Sequence, residues 1–116
     1  DLEVACGWVV PRETEQKLRE YLELLVEENG RQNLIGRTTV SDAWDRHIID
    51  SAQLLRNMGG GTEWLDVGSG AGLPGIVLAI MSEACITLVE PRRLRADFLR
   101  RCADELGLAH VAVVQE

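Results

Sequence analysis

Apolar side chains recur every three or four positions between residues 12 and 29. Leu18, Leu22 and Leu25 fall on one side with Tyr21 beside them, and Glu15, Arg19, Glu23 and Glu27 take the other. A single stripe at a period near 3.6 predicts an amphipathic helix. Pro11 stands ahead of it, and Gly30 is placed to stop it as the C′ residue. Residues 31–39 are polar and read as a loop. Trp44, Ile48, Ala52 and Leu55 form a second stripe, which predicts a helix reaching Met58 with Ser41 or Asp42 as its cap. The run Gly59-Gly60-Gly61 then breaks the chain.

Beyond the glycines the pattern changes. Glu63 to Val67 (EWLDV) is a short strand candidate that leads into a Gly-rich turn. Residues 75–81 have no polar face, which predicts a buried helix. Residues 85–89 (CITLV) read as a continuous apolar strand, Thr87 included, as strands covered on both faces usually are. A helix is predicted over 93–106, with Leu94, Phe98, Cys102 and Leu106 on its stripe and Gly107 as its stop, and a third strand over 110–115. The order β-α-β-α-β predicts an α/β fold with a parallel sheet. The organisation expected is a helical segment over 1–58 and an α/β unit over 59–116.

The turn itself reads Asp66-Val67-Gly68-Ser69-Gly70-Ala71-Gly72-Leu73-Pro74-Gly75. Glycines between a strand and a helix let the backbone turn with positive φ and let a ligand approach closely. Glu90 ends the next strand candidate, 18 residues after Gly72. A carboxylate near that offset can accept both ribose hydroxyls of an adenosine group. Two patterns overlap here. Gly70-x-Gly72-x-x-Gly75 matches the dinucleotide fingerprint and would suit an NAD-dependent oxidoreductase. Gly68-x-Gly70-x-Gly72 matches the turn of S-adenosylmethionine enzymes. The register favours the second, because Gly68 directly follows the strand. Asp66 favours it too, since a carboxylate suits the ammonium of a methionyl group and repels a pyrophosphate. A nucleotide-binding scaffold without chemistry is a third reading. No Lys follows the glycines, so the turn is not a P-loop.

Charge narrows the partners. Over 116 residues, 19 acidic side chains outnumber 12 basic ones, for a net charge of −7. That argues against a general nucleic-acid coat and leaves room for a local basic patch. Arg92, Arg93, Arg95, Arg100 and Arg101 are such a cluster; Arg93–Asp97 and Arg101–Glu105 are also spaced as ordinary helix-surface pairs. Arg46, His47 and Asp50 can pair along the second helix. Trp44 and Trp64 occupy apolar positions, which leaves Trp8 as the stacking candidate. Cys6, Cys85 and Cys102 form no metal-ligand spacing, so no metal is expected, and Cys85 and Cys102 read as core residues in a reducing compartment. No apolar run approaches the ~20 residues of a membrane helix.

Asn33-Leu34, Arg46-His47-Ile48-Ile49-Asp50-Ser51, the whole turn from Asp66 to Gly75, and Thr87-Leu88-Val89-Glu90 followed by the Arg-rich stretch 92–101 together resemble the glucose-inhibited division protein B (RsmG) family. Its members are 16S ribosomal RNA guanine-N7 methyltransferases. The resemblance covers nearly the whole chain. It implies a class I methyltransferase (Rossmann-like) fold, here with part of its sheet, preceded by helices. It implies S-adenosylmethionine as cofactor, 16S rRNA of the small ribosomal subunit as partner, and a cytoplasmic location. Carried over by position, Gly68 and Leu73 would line the cofactor pocket with Asp66 and Ser69 beside them, Gly70 and Gly72 would give backbone room, and Glu90 would take the ribose. His47, Arg92 and Arg93 are the substrate-side candidates. No catalytic residue is assigned, because transfer from a sulfonium to a lone pair needs neither acid nor base, only proximity and electrostatics. The family fold continues past Glu116, so the expectation is a fragment, or a first strand whose open edge is covered in a dimer.

Overall fold

A computed structural model describes residues 1–36, 40–58 and 62–116. The Gly59-Gly60-Gly61 break and the end of the predicted loop, 37–39, lie outside the described residues. The chain opens with a helix that its five residues are too short to advertise, α1 (Leu2–Cys6). Asp1 caps it by accepting the Val4 N–H at 2.9 Å, and left-handed Gly7 ends it. The Arg56 guanidinium donates to the carbonyls of Val4 and Ala5, groups that a helix C-terminus leaves unpaired.

Helix α2 (Arg12–Asn29) has the expected span and buries Leu18, Tyr21 and Leu25. Gly30 ends it in the right-handed region, not as a left-handed stop. The side chain of Asn29 organises the exit instead, accepting the N–H groups of Leu34 at 2.7 Å and Ile35 at 2.9 Å. The predicted second helix is three pieces: a π-helical turn (Trp44–Ile49), α3 (Asp50–Gln53) and α4 (Leu55–Met58). A wider turn keeps apolar residues spaced by four, such as Trp44, Ile48 and Ala52, on one side. Neither Ser41 nor Asp42 caps it; Asp42 pairs with Arg46 at 3.7 Å, the partner expected for Asp50. Trp44 packs half-buried at the core edge, with the Arg19 guanidinium 4.6 Å from its ring centre.

Three parallel strands, β1 (Glu63–Val67), β2 (Cys85–Val89) and β3 (Val111–Val114), lie in the order β1-β2-β3. Trp64 is opposite Ile86 and Ile86 opposite Val111, so Trp64, Ile86 and Val111 share one face with Asp66, Leu88 and Val113. Helices α5 (Gly75–Met81) and α6 (Arg93–Glu105) cover that face, and α2 and α3 pack over α5. Every residue of α5 is buried, as its missing polar face requires. One apolar core runs from Leu2 to Leu108 and draws on both the helical segment and the α/β unit.

The other face of the sheet carries Leu65 and Val67, 64% and 72% exposed, with Cys85 and Ala112 also exposed. The expectation that β2 is covered on both faces is therefore corrected, and Cys85 leaves the core with it. Leu94 is likewise exposed; it sits in the first turn of α6, whose buried side is Ala96, Phe98, Leu99 and Cys102. Gly107, at φ 67°, stops that helix as expected. No helix among the described residues is long and apolar enough to cross a membrane.

Candidate cofactor turn

Strand β1 delivers the chain into the turn at Gly68, beside the carboxyl end of β2. The N–H groups of Gly68 and Ser69 both donate to the Val89 carbonyl, at 2.8 and 3.1 Å. Gly68, Gly70 and Gly72 have φ of 76°, 53° and 93°, and no non-glycine described residue has positive φ. This is the alternation that Gly-x-Gly-x-Gly predicts, starting directly after the strand. A Cβ at Gly68 would meet nothing within 4 Å, so the backbone there is open to approach. A Cβ at Gly72 would lie 2.6 Å from Ile76 Cγ1, inside the molecule. Gly75 serves packing: a Cβ there would fall 2.3 Å from Leu88 Cδ2.

The structure brings Asp66, Gly68, Ser69, Gly70, Gly72 and Glu90 into one corner, with half-buried Leu73 continuing the turn. Ser69 is buried, and its hydroxyl donates to the Asp66 carbonyl at 2.9 Å. Glu90 is 3% exposed. Its Oε1 accepts the Gly70 N–H at 2.9 Å and its Oε2 the Arg92 N–H at 2.8 Å, so the carboxylate ties the turn to the start of α6. Each carboxylate oxygen has lone-pair capacity beyond that one bond.

Asp66 faces the helices. Its Oδ2 accepts the Gly75 N–H at 3.0 Å. Partial burial raises its pKa, and the Gly75 N–H pulls the other way. Beside it lies an apolar cavity of about 220 Å³ lined by Leu54, Met58, Trp64, Leu78 and Ile86. A carboxylate kept where desolvation disfavours its charge is a candidate for a functional position.

Tyr21 is the residue that sequence reasoning missed. It is completely buried, and its hydroxyl donates to the Ala71 carbonyl at 2.7 Å across 50 residues of sequence. The signal was present: a lone tyrosine on an apolar stripe brings a hydroxyl into the core, which needs a partner there.

The substrate-side candidates are more dispersed. Arg92 and Arg93 are exposed and line a cleft of about 530 Å³ with Gln32, Asn33, Leu94 and Arg95. Two contacts close its floor: Gln32 Nε2 donates to the Leu94 carbonyl, and Arg95 donates to the Asn33 carbonyl, each at 3.1 Å. Arg93 pairs with Asp97 at 3.5 Å and Arg101 with Glu105 at 3.3 Å, as their spacing predicts. Arg92 has no ion pair among the described residues. His47 is half-buried on the π-helical turn, and Trp8 is 45% exposed after α1. No group of three His, Cys, Asp or Glu among the described residues can hold a metal. Burial pushes the Cys102 thiol up to about 12, so it behaves as a small apolar residue.

A profile of the rRNA small subunit methyltransferase G family matches residues 14–116. A ribosomal RNA small subunit methyltransferase G of Novosphingobium aromaticivorans is 51% identical over 84% of this chain and 44% of its own length. The protein of that name from Sphingopyxis alaskensis is 46% identical over 99% of this chain and 52% of its own length. One from Cereibacter sphaeroides is 47% identical over the whole chain and 60% of its own length. The chain thus spans about half the length of the curated relatives it matches.

Proposed function

The chain belongs to the rRNA small subunit methyltransferase G family, and on that premise we propose that its glycine turn binds S-adenosylmethionine for methylation of guanine N7 in 16S rRNA. The observation that carries this reading is the turn: three alternate glycines in the left-handed region directly after β1, with carboxylates at the ends of the two adjacent strands. The residues fit the cofactor. Gly68 leaves open space where a Cβ would block approach. Asp66 offers a carboxylate to the methionyl ammonium. Glu90 has lone pairs left for the ribose hydroxyls, and Ser69, Gly70, Gly72 and Leu73 complete the wall. When bound, the cofactor supplies a methyl group on a sulfonium that leaves as a neutral thioether. The chain's own part is to hold and orient; no side chain has to move a proton, because guanine N7 presents a lone pair.

His47, Arg92 and Arg93 are proposed on the RNA side, with the arginines contacting phosphate. The division into a helical segment, 1–58, and a cofactor-binding unit, 59–116, belongs to the same proposal, as does the cytoplasm as its compartment. Calorimetric titration with S-adenosylhomocysteine and with NAD tests the cofactor: binding of the first and not the second is expected, and the reverse overturns the reading. Mass spectrometry of 16S rRNA from a strain deleted for the gene tests the substrate; guanine-N7 methylation that persists unchanged overturns it.

A further inference from the structure

Helix α2 lies outside the strand-turn-helix that carries the glycines, yet it supplies one of the turn's fixed points. The turn needs such points. Gly70 and Gly72 flank Ala71, and glycines give an unbraced loop many conformations. From the sheet side, Val89 holds Gly68 and Ser69, and Glu90 holds Gly70. From the helix side, Tyr21 holds Ala71: its hydroxyl donates to that carbonyl at 2.7 Å, where both residues are buried. The next residue is enclosed by the same wall, since a Cβ on Gly72 would meet Leu99 Cδ2 at 3.1 Å and the Tyr21 hydroxyl at 3.2 Å.

We infer that Tyr21 is a positioning residue for the cofactor: its hydroxyl, carried by α2, presets the Gly70–Gly72 backbone that the adenosyl-methionine ligand meets. This rests on the cofactor reading above. Packing alone does not account for the residue, because a phenylalanine would fill nearly the same volume without bringing a hydroxyl into an apolar core. Burial chiefly, with the nearby Cys102 and Asp66 adding to it, keeps the phenol protonated, so it stays a donor across the physiological range.

Tyr21→Phe removes the hydrogen bond and keeps the ring. The expected result is a Kd for S-adenosylhomocysteine raised about three- to tenfold, the worth of one such bond. Leu25→Val, on the same buried stripe, serves as the control: it lowers the melting temperature with no change in Kd measured well below melting. Hydrogen exchange supplies a readout independent of ligand, and the Gly70 and Gly72 amides are expected to exchange faster in Tyr21→Phe and at the original rate in Leu25→Val. Equal Kd in Tyr21→Phe and the unsubstituted chain overturns the inference, as does unchanged exchange at those amides. Failure of the unsubstituted chain to bind S-adenosylhomocysteine counts against the cofactor reading instead, and the exchange result then decides the bracing role by itself.

Discussion

The two faces of the sheet carry similar residues and meet opposite surroundings. Ile86 and Leu88 of β2 lie under helices at 2% and 0% exposure, while Leu65 and Val67 of β1 point the other way and are mostly exposed. Period two makes neighbouring residues look in opposite directions. The two candidate carboxylates, Asp66 and Glu90, sort with the covered face. Asp66 points into it and receives the Gly75 N–H, and Gly75 is itself a glycine because Leu88 occupies the space of its Cβ. The turn therefore has its shape from the covered side, and the bare side contributes apolar surface without shaping it.

The sharpest test of that asymmetry is a matched pair of truncations. Leu88→Ala empties a site in the core and is expected to cost about 2–5 kcal/mol. Leu65→Ala removes a side chain already in water and is expected to stay within about 0.5 kcal/mol. Chemical denaturation of both measures the difference. Equal losses would mean that the bare face is covered in solution. Sedimentation over a concentration series would then show whether a second chain covers it.

Gly72→Ala comes next in size. Its φ of 93° is strained for any residue with a Cβ, and that Cβ would press on Ile76 at 2.6 Å. About 1–3 kcal/mol of destabilisation is expected, with loss of S-adenosylhomocysteine binding in the same titration. Gly68→Ala separates conformation from space, since its Cβ would meet nothing within 4 Å. Its stability cost is expected to be the smaller of the two, while ligand binding still falls. Binding retained in Gly68→Ala would remove Gly68 from the cofactor wall.

What the residue pattern revealed, and what it did not, follows the same divide. Local signals were legible: the α2 stripe, the all-apolar α5, the Gly107 stop and the spacing of the turn glycines each reflect chemistry within a few residues. Long-range facts were not. CITLV carries one hydroxyl, Thr87, among apolar residues, and that alone is too weak a signal to say that Cys85, on the same face, looks to water. Leu94 has the right spacing for the α6 stripe but lies at the helix start, away from the buried side. Asn29 outranks Gly30 at the end of α2 because a side-chain oxygen gathering two N–H groups leaves no need for a left-handed residue. Asp66 and Glu90 were legible as carboxylates flanking the turn. That each oxygen of Glu90 accepts one backbone N–H becomes visible only when two distant segments are side by side.

Asp66→Asn opposes stability and function within the covered face. Burial raises the Asp66 pKa in the folded chain. A raised folded pKa means that this group's favourable contribution is fully present below its unfolded pKa and is lost as pH rises through the folded value. At neutral pH the charged carboxylate is therefore a liability. The Asn variant is expected to melt at an equal or higher temperature at pH 7, with its advantage shrinking as pH falls through the carboxylate range. An amide oxygen can still accept the Gly75 N–H. Affinity for S-adenosylhomocysteine is expected to fall all the same, because an amide has no charge to offer an ammonium. A variant that gains stability and keeps full affinity would leave Asp66 as a helix brace alone.

The smallest effect on the fold is expected at the rim. Arg92 is exposed, its guanidinium has no ion pair among the described residues, and its ties are backbone ones: Glu90 holds its N–H, and its carbonyl accepts the Ala96 N–H at 2.9 Å. Arg92→Gln keeps that N–H, so stability should move by less than about 0.5 kcal/mol and cofactor affinity should not move. If the guanidinium meets an RNA phosphate, binding of a 16S rRNA segment weakens, and the slope of log affinity against log salt falls by about one. Arg93→Gln is expected to change that slope less, because Asp97 already offsets its charge at 3.5 Å. An unchanged slope in Arg92→Gln would confine the role of the α6 start to bracing the turn through Glu90, and would place the RNA contact elsewhere.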